Sequence, residues 1–281
     1  MKKVIVCFGL TIISLAVIAH EFWLKPQQYH FKKDETASIK FNIGESFAGE
    51  NWAGDNSKIN QLIHYTPANK QVNIAGLVGN NKGDSIQLKL EEEGTHMVIY
   101  NSKNSFINLA PAKFNPYLKE DGLNDIAAYR KLHNEQNSNG KEYYQRSVKT
   151  ILQVGDVITN YCLQPTSLPL DIIPSENVYN LGYQSKNSTV QFTILFNKKP
   201  LVNKLVKVWH KIGNQKTELI DLRTDNLGKI SPKITLSGSW MVSCVHMERN
   251  TMDTIADWQS YWSSITFGYN KGEFPPKKYN K

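Results

Sequence analysis

Ala37-Ser38-Ile39-Lys40-Phe41-Asn42-Ile43 alternates apolar and polar side chains, the period of a strand with one buried face. Ser85-Ile86-Gln87-Leu88-Lys89-Leu90 and His96-Met97-Val98-Ile99-Tyr100 read the same way. Turn-forming residues such as Gly79-Asn80-Asn81-Lys82-Gly83-Asp84 stand between them. Towards the C-terminus the strands crowd together: Val190 to Phe196, Leu205 to His210, Glu218 to Leu222, Lys229 to Thr235, Trp240 to His246 and Ile265 to Tyr269. Turns such as Asp225-Asn226-Leu227-Gly228 part them, a spacing that suggests a β-sandwich of immunoglobulin-like size.

Helical spacing is confined to the first half. Ile126, Ala127, Tyr129, Arg130 and His133 predict a helix from Asn124 to His133 with Asn124 as its cap, and a second short helix is expected over Glu142 to Lys149. Pro174, Ser175, Asn177, Asn180, Gly182, Ser185 and Asn187 place a boundary near 174–187. The expected fold is therefore all-β, with two immunoglobulin-like β-sandwich domains and one or two short helices in the first. Its parts are an N-terminal β-rich domain (20–183), a C-terminal sandwich (184–270) and a flexible tail (271–281).

The first nineteen residues read differently. Lys2 and Lys3 precede an apolar run from Val4 to Ala19, followed by His20-Glu21-Phe22. That pattern is a cleaved secretory signal, and the run is short for a membrane span, which takes about 20 apolar residues. Val17 and Ala19 are small enough for signal peptidase. We expect cleavage after Ala19, a periplasmic or secreted location and a mature chain beginning with His20. Only Cys162 and Cys244 then remain. A disulfide between them is one reading, and two buried apolar thiols is the favoured one.

The formal charge of +8 is spread along the chain among Glu and Asp. Without a basic stripe or a known module, nucleic acid is not an expected partner. Gly-x-Ser-x-Gly elbows, Walker loops and dinucleotide fingerprints are absent from the sequence, so no catalytic residue is expected.

A leading histidine offers metal chemistry instead. Its α-amine and Nδ1 can close a chelate ring on one ion, the amine giving up its proton on binding. A further imidazole completes a three-nitrogen set suited to Cu(II) or Ni(II). The candidates for it are His30, His64, His96, His133, His210 and His246. His246 stands out because Met247, Glu248, Asp253 and Asp257 follow it, with Trp258, Tyr261 and Trp262 as possible walls; His96 is next.

At these residues the chain resembles a bacterial family of domains of unknown function linked with the periplasmic component of cobalt/nickel uptake systems. The matching stretches are Ala19-His20-Glu21-Phe22-Trp23-Leu24-Lys25-Pro26, Asn42-Ile43-Gly44-Glu45-Ser46-Phe47, Lys113-Phe114-Asn115-Pro116-Tyr117-Leu118, Tyr144 to Gly155 and Lys199-Pro200-Leu201-Val202. Gly238 to Val242, Val245-His246-Met247 and Ala256 to Phe267 continue it. The resemblance implies an all-β periplasmic protein that handles transition metals. Its leading His and Val-His-Met strand fall on His20 and His246, and its Asp-Trp-x-Ser-Tyr-Trp pattern on Asp257, Trp258, Ser260, Tyr261 and Trp262. Cys162 and Cys244 depart from the family pattern.

The resulting expectation is a nickel, cobalt or copper site of His20, His246 and either His96 or Asp257. The protein would capture or deliver the ion, with a membrane metal transporter as its partner. Two other readings are an oxidative copper enzyme using the same terminal chelate and a structural or adhesive β-sandwich.

Overall fold

The structure is a computed structural model that describes residues 20–269 apart from 53, 80–84 and 184–186. The expected signal segment 1–19 and tail 271–281 lie outside the described residues. The first strands are β1 (Glu21–Pro26), β2 (His30–Phe31), β3 (Thr36–Glu45), β4 (Ala48–Asn51) and β5 (Ile59–Tyr65). Next come β6 (Gln71–Asn73), β7 (Ile86–Lys89), β8 (Gly94–Ser102) and β9 (Ser105–Leu109). Helices α1 (Pro111–Glu120) and α2 (Asn124–Leu132) precede the long β10 (Gly140–Val154). The chain continues through β11 (Leu170–Pro174), β12 (Asn187–Thr189), β13 (Phe192–Phe196), β14 (Lys199–Pro200) and β15 (Leu205–Lys211). It ends with β16 (Glu218–Arg223), β17 (Lys229–Ile230), β18 (Lys233–Thr235), β19 (Gly238–Arg249) and β20 (Trp258–Tyr269). The fold is all-β in its architecture, with the alternating runs of the sequence as its strands.

A central sheet in the order β16-β15-β19-β20-β10-β8-β5-β6 organises the molecule. Its middle is the parallel pair β10 and β20, from Glu142↔Trp258 to Thr150↔Thr266. This pairing joins strands from either side of the expected boundary, as does the antiparallel β11–β13 pair. The halves 20–183 and 184–270 thus share one sheet. Local patterning reports turns, and it does not report which distant strands pair.

The expected helix over Glu142 to Lys149 is instead the middle of β10. Glu, Gln, Arg and Lys favour helices in isolation, but here the segment runs between β9 or β8 on one edge and β20 on the other. Tertiary pairing overrides propensity. The helix Asn124 to His133 corresponds to α2, whose His133 is the C-cap. Helix α1 was not anticipated, although Pro111 suits a first turn and Phe114, Tyr117 and Leu118 have helical spacing and are buried.

Each face of the central sheet carries a layer. On one, sheet β11-β13-β14 packs over β10, β19 and β20. On the other, α1 and α2 cover Val245, Met247, Trp258 and Trp262. Beside them β1 stands edge-on: Ser264 Oγ donates to the Phe22 carbonyl at 2.7 Å and Thr266 Oγ1 to that of Leu24 at 2.8 Å. Trp23 therefore packs towards Trp209 and Met241, while Phe22 stacks on Tyr100 at 5.2 Å. Cys162 and Cys244 are both buried free thiols, each pushed up to about 12 by burial.

Candidate metal centre at the head of β1

His20 sits one residue before β1, at the level of Glu45 in the β1–β3 register that starts at Glu21↔Gly44. Its Nδ1 lies 3.6 Å from Glu45 Oε1. That nitrogen is buried and has no hydrogen-bond partner among the described residues, although the side chain keeps 33% of its exposure. The His20 carbonyl is fixed by Arg146 Nη1, which donates to it at 3.2 Å. An unpaired buried ring nitrogen facing a carboxylate is the kind of polar atom that a ligand satisfies.

The opposite flank of β1 carries Glu21. Its carboxylate lies 3.9 Å from Lys207 Nζ, which Asp121 Oδ1 holds at 2.8 Å. Burial pushes Glu21 up to about 7, with Lys207 opposing. Burial also raises Asp121. Lys207 ends above its usual value, since burial pulls it down but Asp121 and Glu21 more than offset this. These three groups line a narrow crevice with only about 10 Å³ accessible to water. Their charges are largely taken up by one another, so they form a brace for the strand that presents His20.

The other expected ligands are elsewhere. His246 pairs with Tyr261 in the β19–β20 register, and its ring meets that of Phe196 at 4.2 Å and a 52° tilt, beneath the β11-β13-β14 layer. Val245, its neighbour, packs under the helices on the far side. Strand alternation thus puts His246 on the face opposite to β1. Burial pushes its imidazole down to about 4. The expected pairing of His20 with His246 is not what the fold builds, because the central sheet separates them.

His96 is on the face of β1 but far along β8. It pairs with Leu152, whereas His20 approaches the Arg146 level of β10. Six residues of strand amount to about 20 Å. Its Nδ1 is hydrogen-bonded to His64 Nε2 at 2.8 Å, and its Nε2 to the Glu92 carbonyl at 2.8 Å. Burial lowers both rings, His64 to about 4. Asp257 precedes β20, where its Oδ1 lies 4.0 Å from Arg249 Nη2. His30, His133 and His210 pack on Tyr179, Tyr129 and Trp240. Among the described residues no three His, Cys, Asp or Glu side chains converge as a metal-binding group.

Glu45, within Asn42-Ile43-Gly44-Glu45-Ser46-Phe47, carries no mark of a ligand in the sequence. The β1–β3 register that sets it beside His20 has no local signature. Arg146 was hidden by the expectation of a helix.

No curated protein matches the chain in sequence. Among solved structures the D0-D1 domain of Intimin is similar at 14% identity, covering 87% of this chain and 97% of that chain, with a TM-score of 0.19. A likeness at that score carries no argument. The family described as "Domain of unknown function (DUF4198)" matches residues 17–248, and a match over so much of the sequence means that the chain belongs to it.

Proposed function

We propose that this protein binds a divalent transition metal ion outside the cytoplasm, for uptake or delivery, at the head of β1. The observation that carries the reading is the buried, unpartnered Nδ1 of His20 beside the Glu45 carboxylate. If the exported chain starts at His20, its amine, its Nδ1 and a Glu45 oxygen supply three donors from two adjacent strands. The donor set suits copper or nickel, with affinity generally rising towards copper. The amine, with an ordinary value of about 7.7–8.0, would release its proton on binding, so affinity should increase with pH through that range. His246, His96 and Asp257 have no part in this reading.

The test starts with mass spectrometry of the N-terminus of protein taken from its native compartment. Calorimetric titration with Cu(II) and Ni(II) follows. His20→Ala, Glu45→Gln and one extra residue before His20 should each weaken binding about tenfold or more. His246→Ala should leave it unchanged. Equal affinity in the extended variant, or a chain that starts elsewhere, would refute the terminal chelate.

A further inference from the structure

We propose that a cleft beside β1 binds a small aromatic carboxylate, with Arg146 taking the carboxylate and the partly exposed rings of Trp52 and Tyr144 taking the flat body. The cleft lies between the segment after β4 and strands β8 to β10, and offers about 530 Å³ of space accessible to water, open to solvent. Ligand clefts commonly fall near this size and combine apolar walls with few polar groups. Trp52 packs edge-to-face on the buried Tyr100 at 5.7 Å and 68°, which fixes the Trp52 ring in the wall of the cleft. Gly54 permits it, because a Cβ there would collide with the Trp52 ring. Phe106 is 46% exposed at the rim, a large apolar side chain that a flat ligand would cover.

Among the described residues, two buried polar groups of the lining are incompletely answered, one without a hydrogen bond and one without an ion pair. Tyr100 is 0% exposed, and its hydroxyl has no hydrogen-bond partner among the described residues. Arg146 is 7% exposed and makes no ion pair among them. Its guanidinium centre lies 4.7 Å from the Phe22 ring and 5.4 Å from that of Tyr144, and Nη1 bonds the His20 carbonyl. Ring faces, the Tyr144 hydroxyl and one carbonyl orient the cation, and the Glu21 carboxylate acts on it only from beyond ion-pair distance. Guanidinium stays charged in proteins, and a buried charge without a counterion is costly. A carboxylate answers both needs by accepting paired N–H bonds, and Lys58 at the same cleft adds attraction for an anion. The hydroxyl of Tyr100 then donates to the ligand. Phosphate would have charge but nothing to cover the rings.

The proposal goes beyond the metal reading and needs no metal. Its test is therefore run in EDTA, on purified protein, by calorimetry with sodium benzoate, benzamide and inorganic phosphate. Benzoate should bind saturably at one site, and about tenfold or more tighter than either control. Arg146→Gln should reduce benzoate to the benzamide level, and Tyr100→Phe should weaken it a few-fold. Should Arg146→Gln fail to fold, the three-ligand comparison on the unaltered protein decides together with Trp52→Ala, which should also weaken benzoate. Non-saturable benzoate binding, less than about a tenfold preference over benzamide or phosphate, or full affinity in a folded Arg146→Gln protein would overturn the proposal.

Discussion

Lys149 and Arg146 are buried cations three residues apart on β10, and strand alternation sends them to opposite faces of the central sheet. Lys149 enters the closed layer under β11, where its ammonium meets the Asp171 carboxylate. Asp171 also accepts from the Thr166 backbone N–H at 2.7 Å and its hydroxyl at 3.0 Å. Arg146 enters the layer of β1 and finds rings, the Tyr144 hydroxyl and a carbonyl, with the Glu21 carboxylate beyond ion-pair distance. One charge is answered within the fold and the other is left facing a cleft. Burial alone does not mark a functional residue; burial without a counter-charge does.

The largest effect should come from breaking the answered pair. Lys149→Met strands a buried carboxylate, and we expect a loss of about 3–5 kcal/mol in urea denaturation at pH 7. Adding Asp171→Leu should recover most of it, since apolar replacement of a whole buried pair is often neutral or stabilising. A single-variant cost below about 1 kcal/mol would mean that Lys149 is no better answered than Arg146, and the comparison would fail.

A second prediction uses Glu142, which lies under the helices. Burial pushes it up to about 7, against hydrogen bonds from Ser260 and Tyr117, the latter at 3.1 Å. The folded chain therefore keeps a proton that the unfolded chain loses near 4.5. Its contribution is complete below 4.5 and is lost as pH rises through 7. His64 and His246 run the other way: burial depresses both from 6.5 to about 4. Their contribution is complete above 6.5 and is lost as pH falls through 4. Glu142→Gln should therefore gain about 2–3 kcal/mol on the native protein between pH 4 and pH 8. Urea midpoints across that range check it, and parallel curves for the two proteins would contradict it.

Strand content was legible because alternation is local: Ala37 to Ile43 and Leu205 to His210 fall within β3 and β15. Helix α2 was legible from its spacing, and α1 carried the same signal in Phe114, Tyr117 and Leu118. The parallel β10–β20 pairing was not, because nothing in either segment names its partner. The site suffered for the same reason. His20 was legible from the motif at the end of the apolar run, but Glu45 and the opposite facing of His246 follow from register. The polar residues of β10 misled most, since Glu142, Arg146 and Lys149 are all buried against partners or clefts that only tertiary structure supplies.

The smallest effect gives the sharpest contrast, because it compares one atom on each face. Tyr179 and Tyr100 are both fully buried. The Tyr179 hydroxyl donates to the Ile151 carbonyl at 2.6 Å on the closed side, whereas the Tyr100 hydroxyl has no partner among the described residues on the cleft side. Tyr179→Phe removes a made bond and should cost about 1–1.5 kcal/mol. Tyr100→Phe removes a hydroxyl whose desolvation is uncompensated, so it should be neutral or stabilising by up to about 1 kcal/mol. Thermal or urea denaturation of the two variants measures the difference. Equal losses would show that the Tyr100 hydroxyl is already satisfied in the free protein, and would remove it from the groups that wait for a ligand.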